Sequence, residues 1–561
     1  MTHRYVLEAI GRPRWLHAAI LVTTVVACLP RSASALERFC DPAFEDCRTP
    51  LIDLIDRETV GIDVGFWFME DARFSSALLR ARARGVPVRV LMDTRANNDY
   101  PGNIFCLNQI QSGGIPMREK IDGGILHWKM MLFVGQRTLE FSGANYSGEA
   151  FVPLTPYSAY VDEVIYFTDR PSYINSFMTK FDDVWTSPTG YRNYANVTTV
   201  QRQYAVFPID PELDFPPGGF RERSVRQYNA ETQRIDASMY RITDRAHTDG
   251  LIDALHRGVP SRVITEQLQY RDESRLWDSW NVDRLWLAGQ QTLINGEPGI
   301  HIRLRGHDGL SHEKLTLLSG QAMVIFGSSN WTSASSDDQL EHNLFTTNPA
   351  FYTWARAHFD RKWNNRAPAR ETAPFVPLPP GVPQMVSPAI GAANQPTLTT
   401  FTWDAGPWAH KYDLYLGTNP NALTKVVDDL ELGPYTPSWT VTNPLLPATV
   451  YYWRVVSRTM ANLSRTSQIC SFKTAGSGGG TVSTVCFSGP ANPPDPVAVL
   501  EPQDIAPGSS TPATVPGTVT PGTVSGSSQT SSGGSATPGM PPSRTPSAEG
   551  TATGLRAIPR P

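Results

Sequence analysis

Two short patterns in this chain combine residue types that could carry out acid–base and nucleophilic chemistry. Each is a His-x-Lys pair followed, 18 residues after its His, by an Asn. Imidazole can act as a nucleophile or exchange a proton, and a neighbouring Lys or Asn can stabilise developing negative charge. The patterns are His127-Trp128-Lys129 with Asn145, and His312-Glu313-Lys314 with Asn330. One His-x-Lys is uninformative, but two that recur at equivalent places predict a shared site.

The two patterns belong to an internal repeat. One set of matches shares a single constant separation: Ile62-Asp63 and Ile235-Asp236, Asp71 and Asp244, and Arg84-Gly85-Val86-Pro87 and Arg257-Gly258-Val259-Pro260. A second set shares a longer constant separation: Gly114-Ile115 and Gly299-Ile300, Arg118 and Arg303, and the His, Lys and Asn residues above. The second copy therefore has 12 more residues between the two sets. Two constant separations joined by one insertion indicate a duplicated unit.

Each copy begins with the pattern strand, helix, strand. In the first copy, residues 60–68 predict a buried strand, residues 74–84 a helix and residues 86–92 a second strand. This alternation predicts an α/β unit. Apolar runs at 130–133 and 315–318 directly follow the His-x-Lys pairs. We therefore expect central strands that present the His and Lys side chains from a rigid edge.

The paired patterns resemble the phospholipase D superfamily, whose signature is His-x-Lys followed by a Gly-Ser-x-Asn segment, present twice. The first copy has Ser142-Gly143-Ala144-Asn145, and the second has Gly327-Ser328-Ser329-Asn330, which is the closer match. The likeness covers roughly residues 50–365. It implies two α/β/α repeats that form one bilobal catalytic domain with a single shared site.

The resemblance also implies a role for each site residue. His127 would be the nucleophile that attacks phosphorus, and His312 the general acid that protonates the leaving oxygen and then activates water. The acidic residues downstream of each Asn, Glu163 and Glu341, would each orient a His. The phosphate oxygens would be held by six side chains: Lys129, Lys314, Asn145, Asn330, Ser142 and Ser328. No cofactor is implied, and no Cys or His cluster in the sequence predicts a metal site.

The sequence departs from the superfamily at one position in each copy. The Asp that usually lies five residues after the Lys is Val134 in the first copy and Ser319 in the second. Some branches of the superfamily lack this Asp and remain active. We therefore expect the departure to affect catalytic turnover and to leave the predicted fold almost unchanged.

Segments outside the repeats predict export and a further domain. Arg12 and Arg14 precede the apolar run 15–27, and Ala33-Ser34-Ala35 fits a small-residue cleavage site, which together indicate a secretory signal peptide. A lipoprotein-like box at Cys28 leaves a lipid-anchored protein as the alternative. The predicted divisions are a signal peptide over 1–35, repeat 1 over 36–200, repeat 2 over 201–372, a Pro-rich linker over 373–384, a β-sandwich over 385–475 and a disordered Ser/Thr/Gly/Pro-rich tail over 476–561.

The β-sandwich resembles a fibronectin type III module. Short strand signals at 400–403, 411–416 and 450–457 alternate with turn residues. The segment Leu446-Pro447-Ala448-Thr449-Val450-Tyr451 would contain the corner Tyr of such a module.

Export makes disulfides possible, and the cysteines offer two local pairs. We predict that Cys40 bonds Cys47 and that Cys470 bonds Cys486, which leaves Cys106 without a partner.

Composition narrows the function without deciding it. A hydrophobic content of 40% excludes a wholly disordered chain, and a net charge of −4 gives no overall attraction to nucleic acid. Export, charge and aromatic content favour a monomeric phospholipase D that hydrolyses a phospholipid at a membrane surface. The alternatives are a secreted nuclease with the same residues, and a catalytically silent protein whose β-sandwich binds a polymer or cell surface.

Overall fold

The computed structural model describes residues 37–198, 203–365, 370–431 and 437–489. The predicted signal peptide, the alternative lipidation site Cys28 and residues 490–561 of the predicted tail lie outside the described residues. Within the described ranges, no helix is long and apolar enough to span a membrane.

Repeat 1 is built on an eight-stranded mixed sheet. Its strands are β1 (Glu37–Cys40), β2 (Ile62–Phe66), β3 (Val88–Met92), β4 (Met117–Lys120), β5 (Lys129–Phe133), β6 (Thr138–Ser142), β8 (Ile165–Thr168) and β9 (Tyr191–Ala195), with β7 (Ala159–Asp162) outside the sheet. Its helices are α1 (Arg48–Arg57), α2 (Ala72–Ala83), α3 (Pro101–Ser112) and α4 (Pro171–Thr186), with a 3₁₀ turn at Thr94–Asn98. The strand order is β1-β8-β6-β5-β2-β3-β4-β9.

Repeat 2 has an equivalent eight-stranded sheet. Its strands are β10 (Leu213–Asp214), β11 (Ile235–Met239), β12 (Ser261–Thr265), β15 (Ile300–Arg305), β17 (Lys314–Leu318), β18 (Met323–Gly327), β19 (Asn343–Thr346) and β20 (Thr372–Pro374), with β13 (Leu293–Ile294), β14 (Glu297–Pro298) and β16 (Asp308–Ser311) outside it. Its helices are α5 (Phe220–Ala230), α6 (Arg245–His256), α7 (Gln267–Tyr270), α8 (Trp277–Gln291), α9 (Ser333–Asp337) and α10 (Pro349–Asn364). The order β10-β19-β18-β17-β11-β12-β15-β20 repeats that of the first sheet, which confirms the two-repeat α/β fold.

The matched sequence segments form matched elements because they supply the same end signals. Asp71 and Asp244 cap α2 and α6 through bonds to backbone N–H groups two residues ahead. Gly85 and Gly258 follow those helices at φ 87° and 86°, a conformation that glycine adopts without steric cost. The strands β2 and β11 that precede the helices are buried throughout, as expected for central strands.

The two sheets are joined by a shared core. One apolar cluster contains side chains from both sheets together with α4 and α10: Met130, Leu132 and Phe177 from repeat 1, and Leu315, Phe326 and Phe351 from repeat 2. The other faces of the sheets have separate clusters under α1–α3 and under α5–α8. Each sheet thus lies between helical layers, and the face that carries α4 and α10 is common to both repeats.

The C-terminal unit is a β-sandwich. Its strands are β21 (Gln384–Ser387), β22 (Thr400–Asp404), β23 (Lys411–Gly417), β24 (Thr424–Glu431), β25 (Ser438–Thr440), β26 (Val450–Arg458), β27 (Ser464–Thr466) and β28 (Cys470–Lys473). They form a three-stranded and a five-stranded sheet around Trp403 and Trp453. The Tyr451 hydroxyl accepts a hydrogen bond from Leu446 N at 3.0 Å, the bond that a corner Tyr makes.

The boundaries of this unit differ from the predicted ones. The predicted linker 373–384 begins inside β20, and Phe375 N donates to Ile302 O at 3.0 Å, so its first residues complete the repeat 2 sheet. Both predicted disulfides form, and Cys106 is a buried thiol outside them. Residues 476–489, assigned from the sequence to the tail, are held by the Cys470–Cys486 disulfide and by pairing of Phe487 with Ile469.

Candidate active site

Both His-x-Lys pairs lie where a central strand begins. Lys129 and Lys314 are the first residues of β5 and β17, which pair antiparallel with β2 and β11. The His two residues earlier is fixed through its backbone by the other repeat. His127 N donates to Leu340 O at 2.9 Å, and His312 N donates to Asp162 O at 3.2 Å. The predicted rigid strand edges are therefore present at both places.

The carboxylates bond the imidazoles crosswise between the repeats. Glu341 of repeat 2 accepts from His127 Nδ1 of repeat 1 at 2.7 Å. Glu163 of repeat 1 makes the equivalent short bond with His312 Nδ1 of repeat 2. All four side chains are buried. A carboxylate on Nδ1 fixes the ring and its tautomer, which directs the other nitrogen, Nε2, to chemistry.

The two Lys side chains lie beside these pairs. Lys129 Nζ donates to His127 O at 2.9 Å. Lys314 Nζ lies 2.8 Å from His312 Nδ1, 3.1 Å from Nε2 and 3.8 Å from Glu163 Oε1. Two buried ammonium groups so close to two imidazoles suit an anionic substrate.

The predicted Asn residues occupy equivalent buried positions after β6 and β18. Asn145 is 6% exposed, and its Oδ1 has no hydrogen-bond partner among the described residues. Asn330 is 3% exposed. A buried amide oxygen without a partner is rare in a folded interior and is consistent with a site that receives a ligand or water.

The two predicted Ser residues do not play equivalent parts. Ser328 Oγ donates to Glu341 Oε2 at 2.5 Å and accepts from His342 N at 3.0 Å. Ser142 Oγ instead donates to Glu140 at 3.0 Å. Counting back from the two Asn residues pairs Ser328 with Gly143, where an added Cβ would lie 2.7 Å from Glu163 Oε2.

Tyr240 and His342 also contact the site and were missed from the sequence. The Tyr240 ring centroid lies 4.7 Å from that of His312 and 5.3 Å from Lys314 Nζ. His342 Nε2 accepts from Lys129 N at 3.2 Å. Burial, with the charges of Lys129 and His127, lowers the pKa of His342 to about 3, so the ring is neutral. The repeat pairs Tyr240, which follows β11, with Trp67, which follows β2. This pair of aromatic residues was the sequence signal that could have identified Tyr240.

Val134 and Ser319 lie far from these groups. Each follows the last residue of its strand and is five residues from the Lys. At the usual rise per residue of a strand, this separation along the strand is about 16 Å. The turns there are anchored by another pair of equivalent residues: Glu58 accepts from Gly135 N at 2.8 Å, and Glu231 accepts from Gly320 N at 2.7 Å. The departure from the superfamily pattern thus affects a turn at the opposite end of the strand.

Among the described residues, no group of three or more His, Cys, Asp or Glu side chains could hold a metal ion. The site carboxylates bond other protein groups: Glu341 meets an imidazole and a hydroxyl, and Glu163 meets an imidazole.

The fold and the crosswise site define a two-repeat α/β protein with one centre between the repeats. Residues 51–185 and 226–363 match the family model described as "Cardiolipin synthase, PLD-like domain". Each matched segment contains one of the two His-x-Lys pairs, and the match supports membership of the phospholipase D superfamily. No curated protein sequence is significantly similar to it.

Several solved structures resemble parts of the chain. Phosphatidylserine synthase from Haemophilus influenzae Rd KW20 is 14% identical with a TM-score of 0.48, and the match covers 60% of this chain and 87% of that one. A phospholipase D family member, Nuc, from Salmonella typhimurium is 24% identical with a TM-score of 0.24, and covers 29% and 98%. Polyphosphate kinase from Porphyromonas gingivalis is 13% identical with a TM-score of 0.41. That match covers 58% of this chain and spans half of the kinase chain.

Proposed function

We propose that this chain is an exported phosphodiesterase that hydrolyses a phospholipid at its headgroup phosphodiester through a phosphohistidine. The observation that carries the proposal is the pair of crosswise Glu–His bonds, each with a buried Lys beside it. One imidazole can serve as nucleophile and the other as acid and base. The Lys side chains supply the positive charge that a phosphoryl transition state requires.

In the first step, His127 Nε2 attacks phosphorus while Glu341 holds the proton on Nδ1. A phosphorus–nitrogen bond forms, and the bond to the leaving oxygen breaks. His312 gives its Nε2 proton to that oxygen, which departs as an alcohol. Lys129 and Lys314 balance the charge on the remaining phosphate oxygens.

In the second step, His312, now neutral, takes a proton from water. The water oxygen attacks phosphorus, and the phosphorus–nitrogen bond breaks with its electron pair returning to His127. The imidazole of His312 ends protonated, as it began. Neither step requires a metal ion, because the imidazoles move the protons and the Lys side chains offset the charge.

Two observations support export and a lipid substrate. The Cys40–Cys47 and Cys470–Cys486 disulfides are typical of proteins that fold in an oxidising compartment. A net charge of −4 supplies no excess of cations for a nucleic-acid backbone.

Mass spectrometry of the exported protein checks the N-terminus, which we expect near Leu36. A diacylated Cys28 would identify a lipoprotein instead.

A direct assay separates the candidate activities. The purified protein is incubated in excess chelator with mixed phospholipid vesicles and, in parallel, with plasmid DNA. We expect release of headgroup and no nicking of the plasmid. Cleavage of DNA alone would identify a nuclease, and turnover of neither substrate would favour a binding protein.

The covalent intermediate provides the test of mechanism. His127→Ala should form no adduct with a radiolabelled, activated phosphodiester. His312→Ala should accumulate one, because the activated leaving group needs no proton but water is no longer activated. The adduct should be labile in acid, stable in alkali and located on the peptide that contains His127. Label on the His312 peptide would reverse the two roles, and no label together with loss of activity in EDTA would contradict the mechanism.

A further inference from the structure

The two His-x-Lys pairs are backed by different kinds of side chain. In repeat 1 the middle residue is Trp128, whose ring centroid lies 6.4 Å from Phe177 and 6.2 Å from Phe215. Its indole N–H donates to Glu341 O at 2.9 Å. The pair that contains His127 is therefore supported by apolar packing.

In repeat 2 the middle residue is Glu313, and its surroundings are ionic. Glu313 Oε1 lies 2.6 Å from His358 Nε2, and Oε2 lies 3.0 Å from Lys362 Nζ. All three side chains are at most 4% exposed. The pair that contains His312 is therefore supported by a buried cluster of ions.

Lys362 joins the two chain segments that carry the His312–Glu163 pair. Its Nζ lies 2.9 Å from Asp162 Oδ1 and 3.0 Å from Glu313 Oε2. Asp162 immediately precedes Glu163 in repeat 1, and Glu313 immediately follows His312 in repeat 2. One ammonium group thus ties the neighbour of the carboxylate to the neighbour of the imidazole, across the boundary between the repeats.

Further polar contacts hold this cluster in place. His358 Nδ1 lies 2.6 Å from Asp41 Oδ2, and His307 Nε2 lies 3.1 Å from Asp162 Oδ2. Burial disfavours the charge on Lys362, but the neighbouring carboxylates hold its pKa above the usual value. Burial likewise opposes the charge on Glu313, yet its cationic neighbours lower the pKa of Glu313 to about 2. The bridge is therefore ionic at neutral pH.

The residues equivalent to Lys362 and its two bridged carboxylates are apolar around the other His. Helices α4 and α10 have the same length and begin at the equivalent residues Pro171 and Pro349, and alignment from these prolines pairs Lys362 with Val184. The equivalents of the bridged residues are Leu340 for Asp162 and Trp128 for Glu313. Because apolar residues of similar size often stabilise a fold as well as buried ions do, a cluster kept on one side alone indicates a role other than stability.

We infer that Lys362 is a positioning residue for His312: by bridging Asp162 and Glu313 it fixes the Glu163–His312 pair in the geometry that delivers and accepts protons. The inference rests on the proposed function. His312 must act twice, first as acid and then as base, whereas His127 must attack once. A charge bridge across the repeats restricts the approach of the imidazole to its carboxylate more tightly than apolar contacts do.

The test uses Lys362→Met in the full-length protein and two phosphodiesters that differ in the leaving group. One releases p-nitrophenol, which needs no proton, and the other releases a simple alkyl alcohol, which does. With the first substrate, kcat/KM reports formation of the phosphohistidine, and kcat reports its hydrolysis, which needs His312 as base. With the second substrate, both steps need His312.

For the p-nitrophenyl substrate we expect kcat to fall by about tenfold to a hundredfold, with kcat/KM nearly unchanged. For the alkyl substrate, kcat and kcat/KM should both fall by that factor. Lys362→Arg should retain most of the rate, because a guanidinium can also bridge two carboxylates. A purely structural role would instead lower kcat and kcat/KM together, in proportion to the folded fraction and equally for both substrates.

Two further variants test whether the effect is specific to Lys362 and whether it persists when the net charge of the cluster is kept. Lys180→Met removes a lysine from the equivalent helix α4, where its side chain is 35% exposed, and should change neither parameter. Lys362→Met with Glu313→Gln removes one charge of each sign and should show the same kinetic split if the single variant fails to fold. The inference would be overturned if neither Lys362→Met nor the double variant folds. It would also be overturned if the wild type is active and the Lys362 variants have the same kcat and kcat/KM as the wild type. A wild-type protein that cleaves neither diester would contradict the proposed function instead.

Discussion

At the scale of single residues, the site consists of charges that neither repeat could stabilise alone. Glu341 and Glu163 are buried, and each meets the imidazole of the other repeat. A buried carboxylate without that partner would be strongly disfavoured. The acid–base groups therefore form only when the repeats are packed together.

The Lys side chains should contribute to the transition state and much less to substrate association. We expect Lys129→Ala and Lys314→Ala each to lower kcat by at least about a hundredfold, the scale for removing one preorganised contact to the developing charge. Binding to substrate vesicles, measured by sedimentation, should change far less. Lys180→Ala is the surface control. Normal turnover in both site variants would exclude the Lys pair as the phosphate cradle.

Glu140 gives the stability of repeat 1 a dependence on pH. Burial raises the pKa of Glu140 to about 8, against hydrogen bonds from Tyr146 and Ser142 that lower it, and the usual value is 4.5. Between these values the folded state binds a proton that the unfolded state lacks. The resulting stability is complete below the unfolded pKa and is lost as the pH rises through the folded pKa, by up to about 1.4 kcal/mol per pH unit.

Glu140→Gln should remove this contribution, because an amide does not titrate. Its apparent melting temperature should fall less than that of the wild type between pH 5 and pH 8, in scanning calorimetry. Glu222→Gln, on a side chain that is 58% exposed, is the control and should follow the wild type. Identical pH profiles for the wild type and Glu140→Gln would show that Glu140 is ionised in the folded protein.

At the scale of elements, short strands that cross between the repeats align the site. β16 pairs in parallel with β7, and this pairing ends at Ser311 and Asp162, next to His312 and Glu163. Gly309 permits the approach: its φ is 101°, and an added Cβ would lie 1.8 Å from Tyr160 O. At its equivalent in repeat 1, Gly124, an added Cβ would lie 2.5 Å from the backbone of Asp338 in repeat 2.

Gly309→Ala should therefore reduce both stability and activity. Gly258→Ala is the matched control, since Gly258 has φ 86° but nothing within 4 Å of an added Cβ. The control should lose about 1–2 kcal/mol, the cost of a left-handed conformation for a residue with a Cβ. Gly309→Ala should lose more and should also lower kcat, because it separates β16 from β7. Equal effects of the two substitutions on melting temperature and kcat would contradict this account.

The sequence predicted these elements better than it predicted their contacts. The two constant separations between the copies identified equivalent strands because equal spacing and equal end signals produce equal elements. They could not reveal the crosswise bonds, since spacing within a copy does not determine which copy's carboxylate meets which imidazole. Ser142 was chosen by residue type, whereas the separation itself pairs Ser328 with Gly143. Lys362 lies outside the segments whose repetition is visible in the sequence, and it acquires its partners only through tertiary packing.

At the scale of the whole molecule, the β-sandwich is attached to repeat 2 by buried polar contacts. His410 Nε2 lies 3.0 Å from Ser279 Oγ on α8, and His410 Nδ1 accepts from Met460 N at 3.0 Å. Burial lowers the pKa of His410 to about 3, so a neutral ring makes both contacts. Helix α8 lies in the part of repeat 2 that is 12 residues longer than its counterpart in repeat 1. This longer segment therefore supports the sandwich.

Truncation distinguishes the parts of the chain that the fold requires. A chain that ends after Gly489 should fold and turn over like the full protein, because residues 490–561 contain few large apolar side chains for a core. Ending at Gly476 removes Cys486 and Phe487, and the lost disulfide closes a loop worth about 3 kcal/mol. That variant should melt at a lower temperature with kcat unchanged.

Ending after Leu378 removes the sandwich and exposes Ser279 and Asp283, both fully buried in the intact protein. Burial raises the pKa of Asp283 to about 7, and the shortened chain lacks the hydrogen bonds that Thr459 and Ala461 of the sandwich make to this carboxyl. We expect aggregation or a melting temperature well below that of the Gly476 variant. Ser279→Ala with Asp283→Asn in the same shortened chain should recover part of the loss. A chain ending at Leu378 that is as stable and active as the full protein would show that the sandwich is an independent module.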